Sequence, residues 1–152
     1  MNHLLEILNE RNILFDFQAD SKEDVIRKLM AHLVNIQEIN PIHSEEIIKA
    51  LLQREKSMST GIGSGVAIPH CSVSLVDDLK SVVAISPQGI DFDSIDGKPV
   101  SIIILLIVPK SRFQEHIKTL AMIAKTLNQP DEREKIIHAK SLEEIRKILI
   151  LS

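Results

Sequence analysis

The sequence predicts an α/β fold: a mixed β-sheet with helices on both faces. Two patterns carry this reading. Segments with apolar residues at helical spacing lie on either side of short β-branched runs along the chain. Among those runs, Ile102-Ile103-Ile104-Leu105-Leu106-Ile107-Val108 is apolar without alternation, which marks a central strand covered on both faces. Composition sets the core. Of 152 residues 44% are hydrophobic but only 3% aromatic, with no Trp or Tyr, so Ile, Leu and Val must fill it. No repeat, low-complexity stretch or linker divides the chain, and one domain over residues 1–152 is expected.

The elements follow in order. Residues 3–9 suit a short helix, and Ile13–Phe17 is rich in strand formers. Ser21 is placed to cap a helix, with Asp24 three residues on. That helix carries the stripe Val25, Ile26, Leu29, Met30, Leu33 and Val34. A second helix is predicted from Ser44, with Glu45 and Glu46 near its positive end and Ile47, Ile48, Leu51 and Leu52 inward. Val66–Ile68 reads as a short strand that stops at Pro69-His70, and Ser81–Ser86 as another. Asp96-Gly97 is a tight-turn signal, so Ile90–Phe92 and Val100–Val108 are predicted to pair across it. A helix over Arg112–Asn128 presents Phe113, Ile117, Leu120, Ala121, Ala124 and Leu127 on one face, and Pro130 breaks it. A short helix is predicted over Glu132–Ala139. The last one begins at Ser141 with Glu144 completing a capping box.

Several function classes are disfavoured. The net charge is −3, with no basic run and no aromatics among the Lys and Arg, so no nucleic-acid footprint is visible. The longest apolar run, Ile102–Pro109, is less than half a bilayer span, so no direct membrane insertion is expected. The start of the chain bears Glu6 and lacks a signal-peptide pattern, and Cys71 is the only cysteine. A reducing cytoplasm is the expected setting. The six histidines show no metal-ligand spacing, so neither metal nor cofactor is expected. His3, His32, His43 and His138 read as structural or exposed.

Chemistry concentrates elsewhere. Gly61, Gly63 and Gly65 fall within five positions. Such a loop either exposes backbone N–H groups that cradle an anion, or is simply a helix cap followed by a bend. It is neither a P-loop nor a dinucleotide fingerprint, because the Gly-Lys-Ser/Thr ending and the G-x-G-x-x-G spacing are both missing. His70 follows Pro69 at a strand end, where its imidazole would be aimed; a neutral imidazole is a good nucleophile near pH 7. The alternative is a surface or satisfied core histidine. His116 shares a helix face with Phe113 and Leu120, so it either bonds a carbonyl in the core or lines a cavity. Arg54 ends the preceding helix, as a phosphate-binding guanidinium or an ordinary terminal cation. Cys71 and His70 are adjacent and point apart in extended chain, which argues against a Cys–His dyad.

The unbroken stretch from Arg54-Glu55 through Ser59-Thr60-Gly61-Ile62-Gly63-Ser64-Gly65-Val66-Ala67-Ile68-Pro69-His70 closely resembles the active-site signature of phosphotransferase-system (PTS) EIIA proteins of the fructose/mannitol/nitrogen-regulatory type. Asp91–Val100 and Glu115–Ala121 extend the resemblance to nearly the whole chain. It implies the type-2 EIIA fold. It also implies that His70 accepts a phosphoryl group from a phosphocarrier protein (HPr or NPr) and passes it to an EIIB component for sugar uptake. His116 would hydrogen-bond the phosphoryl oxygens, Arg54 would supply charge, Thr60 would donate a hydroxyl, and Gly61, Gly63 and Gly65 would form the phosphate loop. The alternative within the same family is a nitrogen-type regulator whose phosphorylation state controls binding to target proteins. Many members have glycine where this chain has Cys71.

Overall fold

A computed structural model of the chain describes residues 3–150. Met1, Asn2 and the side chain of His3 lie outside the described residues. The order is α1 (His3–Ile7), β1 (Ile13–Leu14), α2 (Lys22–Asn35), α3 (Pro41–Ser57), β2 (Gly61–Gly63), β3 (Val66–Ala67), β4 (His70–Val73), β5 (Lys80–Ile90), β6 (Val100–Pro109), α4 (Phe113–Leu127), α5 (Pro130–His138) and α6 (Leu142–Ile150). The sheet runs β1-β5-β6-β3-β2, with β4 also paired to β6. Pairing is parallel for β1/β5, β3/β6 and β4/β6 and antiparallel for β5/β6 and β2/β3, so the sheet is mixed.

Strand β6 is central and buried on both faces. Ile103, Leu105 and Ile107 join α2 and α3 in one apolar cluster with Val25, Leu29, Ile47 and Leu51. Ile102, Ile104 and Leu106 face the opposite way and join α1, α4, α5 and α6 through Leu4, Ile123, Ile136 and Ile145. The unbroken apolar run is the consequence of these two cores.

The caps account for several boundaries. The Ser21 hydroxyl accepts from Asp24 N–H at 3.1 Å, while an Asp24 carboxylate oxygen accepts from Asp20 N–H at 2.9 Å. Ser141 and Glu144 repeat the arrangement at α6. Helix α3 begins at Pro41, three residues before the predicted Ser44. Asn40 caps it by accepting from Ile42 N–H at 3.1 Å, and Pro41 fills the first turn, where a missing N–H costs nothing. Pro130 likewise opens α5, ahead of the predicted Glu132.

Three other expectations change. His70 opens a strand instead of following one. The register β3 keeps with β6, Val66 opposite Ile102, resumes without slippage in β4, His70 opposite Leu106. Strands β3 and β4 are thus one strand interrupted at Ile68-Pro69, where proline supplies no ladder donor. Strand β5 is longer than predicted and pairs along Lys80–Ile85 with β6, whereas from the Ile90–Phe92 segment only Ile90 finds a partner, Val100. The Asp96-Gly97 turn does form, closed by Gly97 N–H donating to Ser94 O at 2.9 Å, but inside a loop over residues 91–99. Finally, α4 is rotated from its predicted face. Ile123 and Leu127 are buried, with Leu120 and Ala124 packed beside them, while Phe113 and Ile117 are each 39% exposed.

Two predictions test this packing. A Cβ built at Gly61 would stand 2.9 Å from Ser94 Cα, backbone that cannot yield cheaply. Gly61→Ala is expected to cost about 1–3 kcal/mol, a Tm fall of about 3–10 °C by thermal melting. Cys71 is 6% exposed in the α2/α3 core, and burial pushes its thiol up to about 12. At pH 8 a thiol reagent is expected to modify the native protein about 100-fold more slowly than the unfolded chain; equal rates would contradict the burial.

Candidate functional site

The site grows from the interruption at Ile68-Pro69. Leu106 N–H donates to Pro69 O at 3.0 Å, so the sheet grips the chain at the break. His70 then lies next to Leu106 on the α4 side of the sheet, and Cys71 points into the opposite core. His70 Nδ1 lies 2.8 Å from the Ile68 carbonyl oxygen. A carbonyl only accepts, so Nδ1 carries the proton and the neutral ring keeps its lone pair on Nε2. Burial lowers the His70 pKa most. The bond to Ile68 raises it, the Arg54 charge lowers it and the Glu55 charge raises it. The balance is downward, which favours a neutral imidazole at pH 7.

The glycines build a hairpin. Strands β2 and β3 are joined through Ser64 and Gly65, both at positive φ (59° and 81°), the signature of a type I′ turn. Three N–H groups of this segment are engaged within the protein: Thr60 donates to Glu55, Gly61 to the Ser59 hydroxyl at 3.1 Å, and Ser64 to Asp96 at 3.0 Å. The two backbone donors Asp96 accepts, Ser64 first and then Lys98, hold its carboxyl below the usual carboxylate range. The same turn region takes Ile95 N–H on the Gly61 carbonyl at 2.9 Å. Helix α3 ends at Ser57 with Met58 as its C-cap, and the hairpin leans on the 91–99 loop.

Arg54 sits in the last turn of α3, where Nη1 donates to Met58 O at 2.9 Å. Its charge reaches His70. The Thr60 hydroxyl donates to the Glu55 carboxylate.

Glu55 is the residue the sequence reading passed over. It is 4% exposed and sits under the hairpin. Lys22, at the start of α2, approaches it at 3.6 Å and Asp93 at 3.8 Å, while its ammonium lies 5.7 Å from the Phe92 ring centre. The available signal was its place beside Arg54, immediately ahead of the loop.

His116 is half-buried on α4. Leu106 is opposite both His70 and Ser81, which places those two Cα atoms about 10 Å apart across β6. Ser81 and His116 line one open cleft of about 350 Å³ together with Asn12, Lys80 and Arg112. Both imidazole nitrogens of His116 are buried without a hydrogen-bond partner among the described residues. Such a group stands ready for a polar ligand. The other histidines are engaged or remote: His32 bonds Arg11 O at 2.7 Å, His138 bonds Glu134 at 2.8 Å, and His43 lines a separate cleft beside Asp77.

Comparison with known proteins agrees with this geometry. Residues 6–151 match the family described as "Phosphoenolpyruvate-dependent sugar phosphotransferase system, EIIA 2". A nitrogen regulatory protein of Pseudomonas aeruginosa is 34% identical over 150 residues, covering 99% of this chain and 96% of that protein. The crystal structure of nitrogen regulatory protein IIA-Ntr from Neisseria meningitidis superposes with a TM-score of 0.85 at 33% identity, over 96% of this chain and 98% of that one. Enzyme IIAMTL of Escherichia coli, solved by NMR in complex with phosphorylated enzyme IIBMTL, gives a TM-score of 0.77 at 25% identity, over 95% and 98%. Among the described residues no helix is long and apolar enough to cross a membrane. With the family match spanning nearly its whole length, and its proline-broken strand presenting a histidine beside a glycine hairpin, the chain belongs to the EIIA 2 family of the phosphoenolpyruvate-dependent sugar phosphotransferase system.

Proposed function

We propose that this chain is a cytoplasmic phosphoryl carrier that takes a phosphoryl group on Nε2 of His70 from a phosphocarrier protein (HPr or NPr) and hands it to an EIIB component. The observation that carries the reading is the 2.8 Å bond between His70 Nδ1 and Ile68 O. It stores the ring proton on Nδ1 and leaves the Nε2 lone pair for phosphorus. In the step, the Nε2–P bond forms as the bond from phosphorus to the donor atom breaks, with no proton lost from Nε2. Reversal against an EIIB nucleophile completes the relay. The complex of IIAMTL with phosphorylated IIBMTL supports this partner class.

The surrounding groups have matching roles. Phosphoryl transfer needs positioning and charge neutralisation more than covalent help. Arg54, whose charge already reaches His70, neutralises the incoming phosphoryl oxygens. His116, whose two nitrogens lack partners, donates to the same oxygens. Thr60 and the glycines shape the hairpin and do not touch the group.

A second reading concerns the output. Two of the relatives, 34% and 33% identical, are nitrogen regulatory proteins. They support a signal in which the phosphorylated and free forms bind different target proteins. Affinity capture with wild type and His70→Ala, each with and without phosphorylation, separates the outputs: only EIIB components recovered means transport, while non-PTS partners retained by one form mean regulation.

Incubation with phosphoenolpyruvate, the first PTS enzyme and its phosphocarrier is expected to give an acid-labile adduct. ³¹P NMR should report an Nε2 phosphohistidine, and His70→Ala should give none. An Nδ1 adduct, or undiminished labelling of His70→Ala, would sink the assignment.

The rate of acceptance should follow the neutral imidazole. Because burial lowers the His70 pKa, the rate should rise with pH, pass half-maximum below about 6.5, and be flat by pH 7.5. Arg54→Ala should slow acceptance about 10- to 100-fold, the scale of a lost charge-assisted hydrogen bond, and should raise the His70 midpoint.

A further inference from the structure

We infer that Glu55 is a positioning residue for His70: through Thr60 and the Ile68 peptide, its buried carboxylate holds the imidazole in the tautomer that can attack. The inference rests on the reading of His70 as the phosphoryl acceptor.

The connection is continuous. The Glu55 carboxylate accepts from Thr60 N–H at 3.1 and 3.3 Å, and from the Thr60 hydroxyl. The Thr60 carbonyl accepts from Ile68 N–H at 3.0 Å. The Ile68 carbonyl accepts from His70 Nδ1–H at 2.8 Å. Every link joins a fixed backbone group to the next, so the side chain of Glu55 sets where the Ile68 peptide lies and thus where Nδ1 finds its acceptor.

A carboxylate 4% exposed is costly to bury unless it is partnered. Here Thr60 supplies its N–H and hydroxyl, and α2 supplies Lys22 at 3.6 Å, which also reaches Asp93 of the 91–99 loop at 3.8 Å. Glu55 and Arg54, adjacent on one helix, act on His70 with opposite sign.

The test uses the unphosphorylated full chain. Imidazole ¹⁵N NMR reads the His70 tautomer and titration midpoint in wild type, Glu55→Gln and Thr60→Val, and phosphorylation rates are measured with the PTS donor chain. Wild type should show mainly the Nδ1–H form. Glu55→Gln should mix the tautomers, lower the midpoint as the negative charge is lost, and slow phosphorylation about tenfold. Thr60→Val, which keeps the charge and the backbone links but removes the hydroxyl that anchors the carboxylate, should mix the tautomers less than Glu55→Gln, with little change of midpoint. Glu55→Asp should restore the midpoint more than the rate. Should Glu55→Gln not fold, Thr60→Val decides on the tautomer alone. Variants that keep the wild-type tautomer, midpoint and rate within twofold overturn the inference; so do variants whose loss of rate only tracks loss of fold. If wild type takes no phosphate, the carrier reading fails, while the tautomer and midpoint still judge Glu55.

Discussion

Strand β6 is buried on both faces and paired along both edges, and the site depends on how one neighbour meets it. The segment from Val66 to Val73 runs parallel to β6 in a single register, yet it carries a proline in the middle. Proline removes a ladder donor and constrains the residue before it. The sheet recovers by letting Leu106 N–H bond Pro69 O and by resuming at His70. The Ile68 carbonyl is left to receive the imidazole. A small defect in a strongly held sheet therefore fixes a reactive side chain more tightly than a loop would.

Charge around this point is sorted by burial. Exposed pairs such as Arg27 with Glu23 and Lys28 with Asp24 lie on α2 and contribute little. Glu55 is different, because its carboxylate is enclosed and every bond it accepts is spent on Thr60 or Lys22. Arg54 is half-buried, and its guanidinium donates to the Met58 carbonyl. Neighbouring residues on one helix thus meet different surroundings, one enclosed under the loop and the other nearer the surface.

The glycine hairpin shows how local pattern and tertiary context divide the work. Three glycines in five positions suit an anion cradle as well as a turn. The structure uses them for conformation and close approach: Ser64-Gly65 needs positive φ, and Gly61 passes against Ser94 with no room for a Cβ. Thr60, Gly61 and Ser64 donate inside the protein. Local sequence carries no record of those partners, because Asp96 and Ser94 come from a loop some thirty residues away. The face of α4 failed to read clearly for the same reason. Its apolar residues span more than one stripe, and only packing against the sheet and the neighbouring helices decides that Ile123 and Leu127 turn inward while Phe113 and Ile117 stay at the surface.

The sequence by itself determined the α/β class, the central strand, most helices and the family, because these rest on short-range periodicity, capping chemistry and one unbroken motif that ends at His70. Tertiary structure alone decided that β3 and β4 are one interrupted strand, that His70 holds its proton on Nδ1, and that Thr60 serves Glu55. The physical reason is shared. Each of these facts is a hydrogen bond whose partner is selected by sheet register or by the packing of α2 and α3 against the hairpin, and a proton's position follows from the acceptor that the folded chain brings to it.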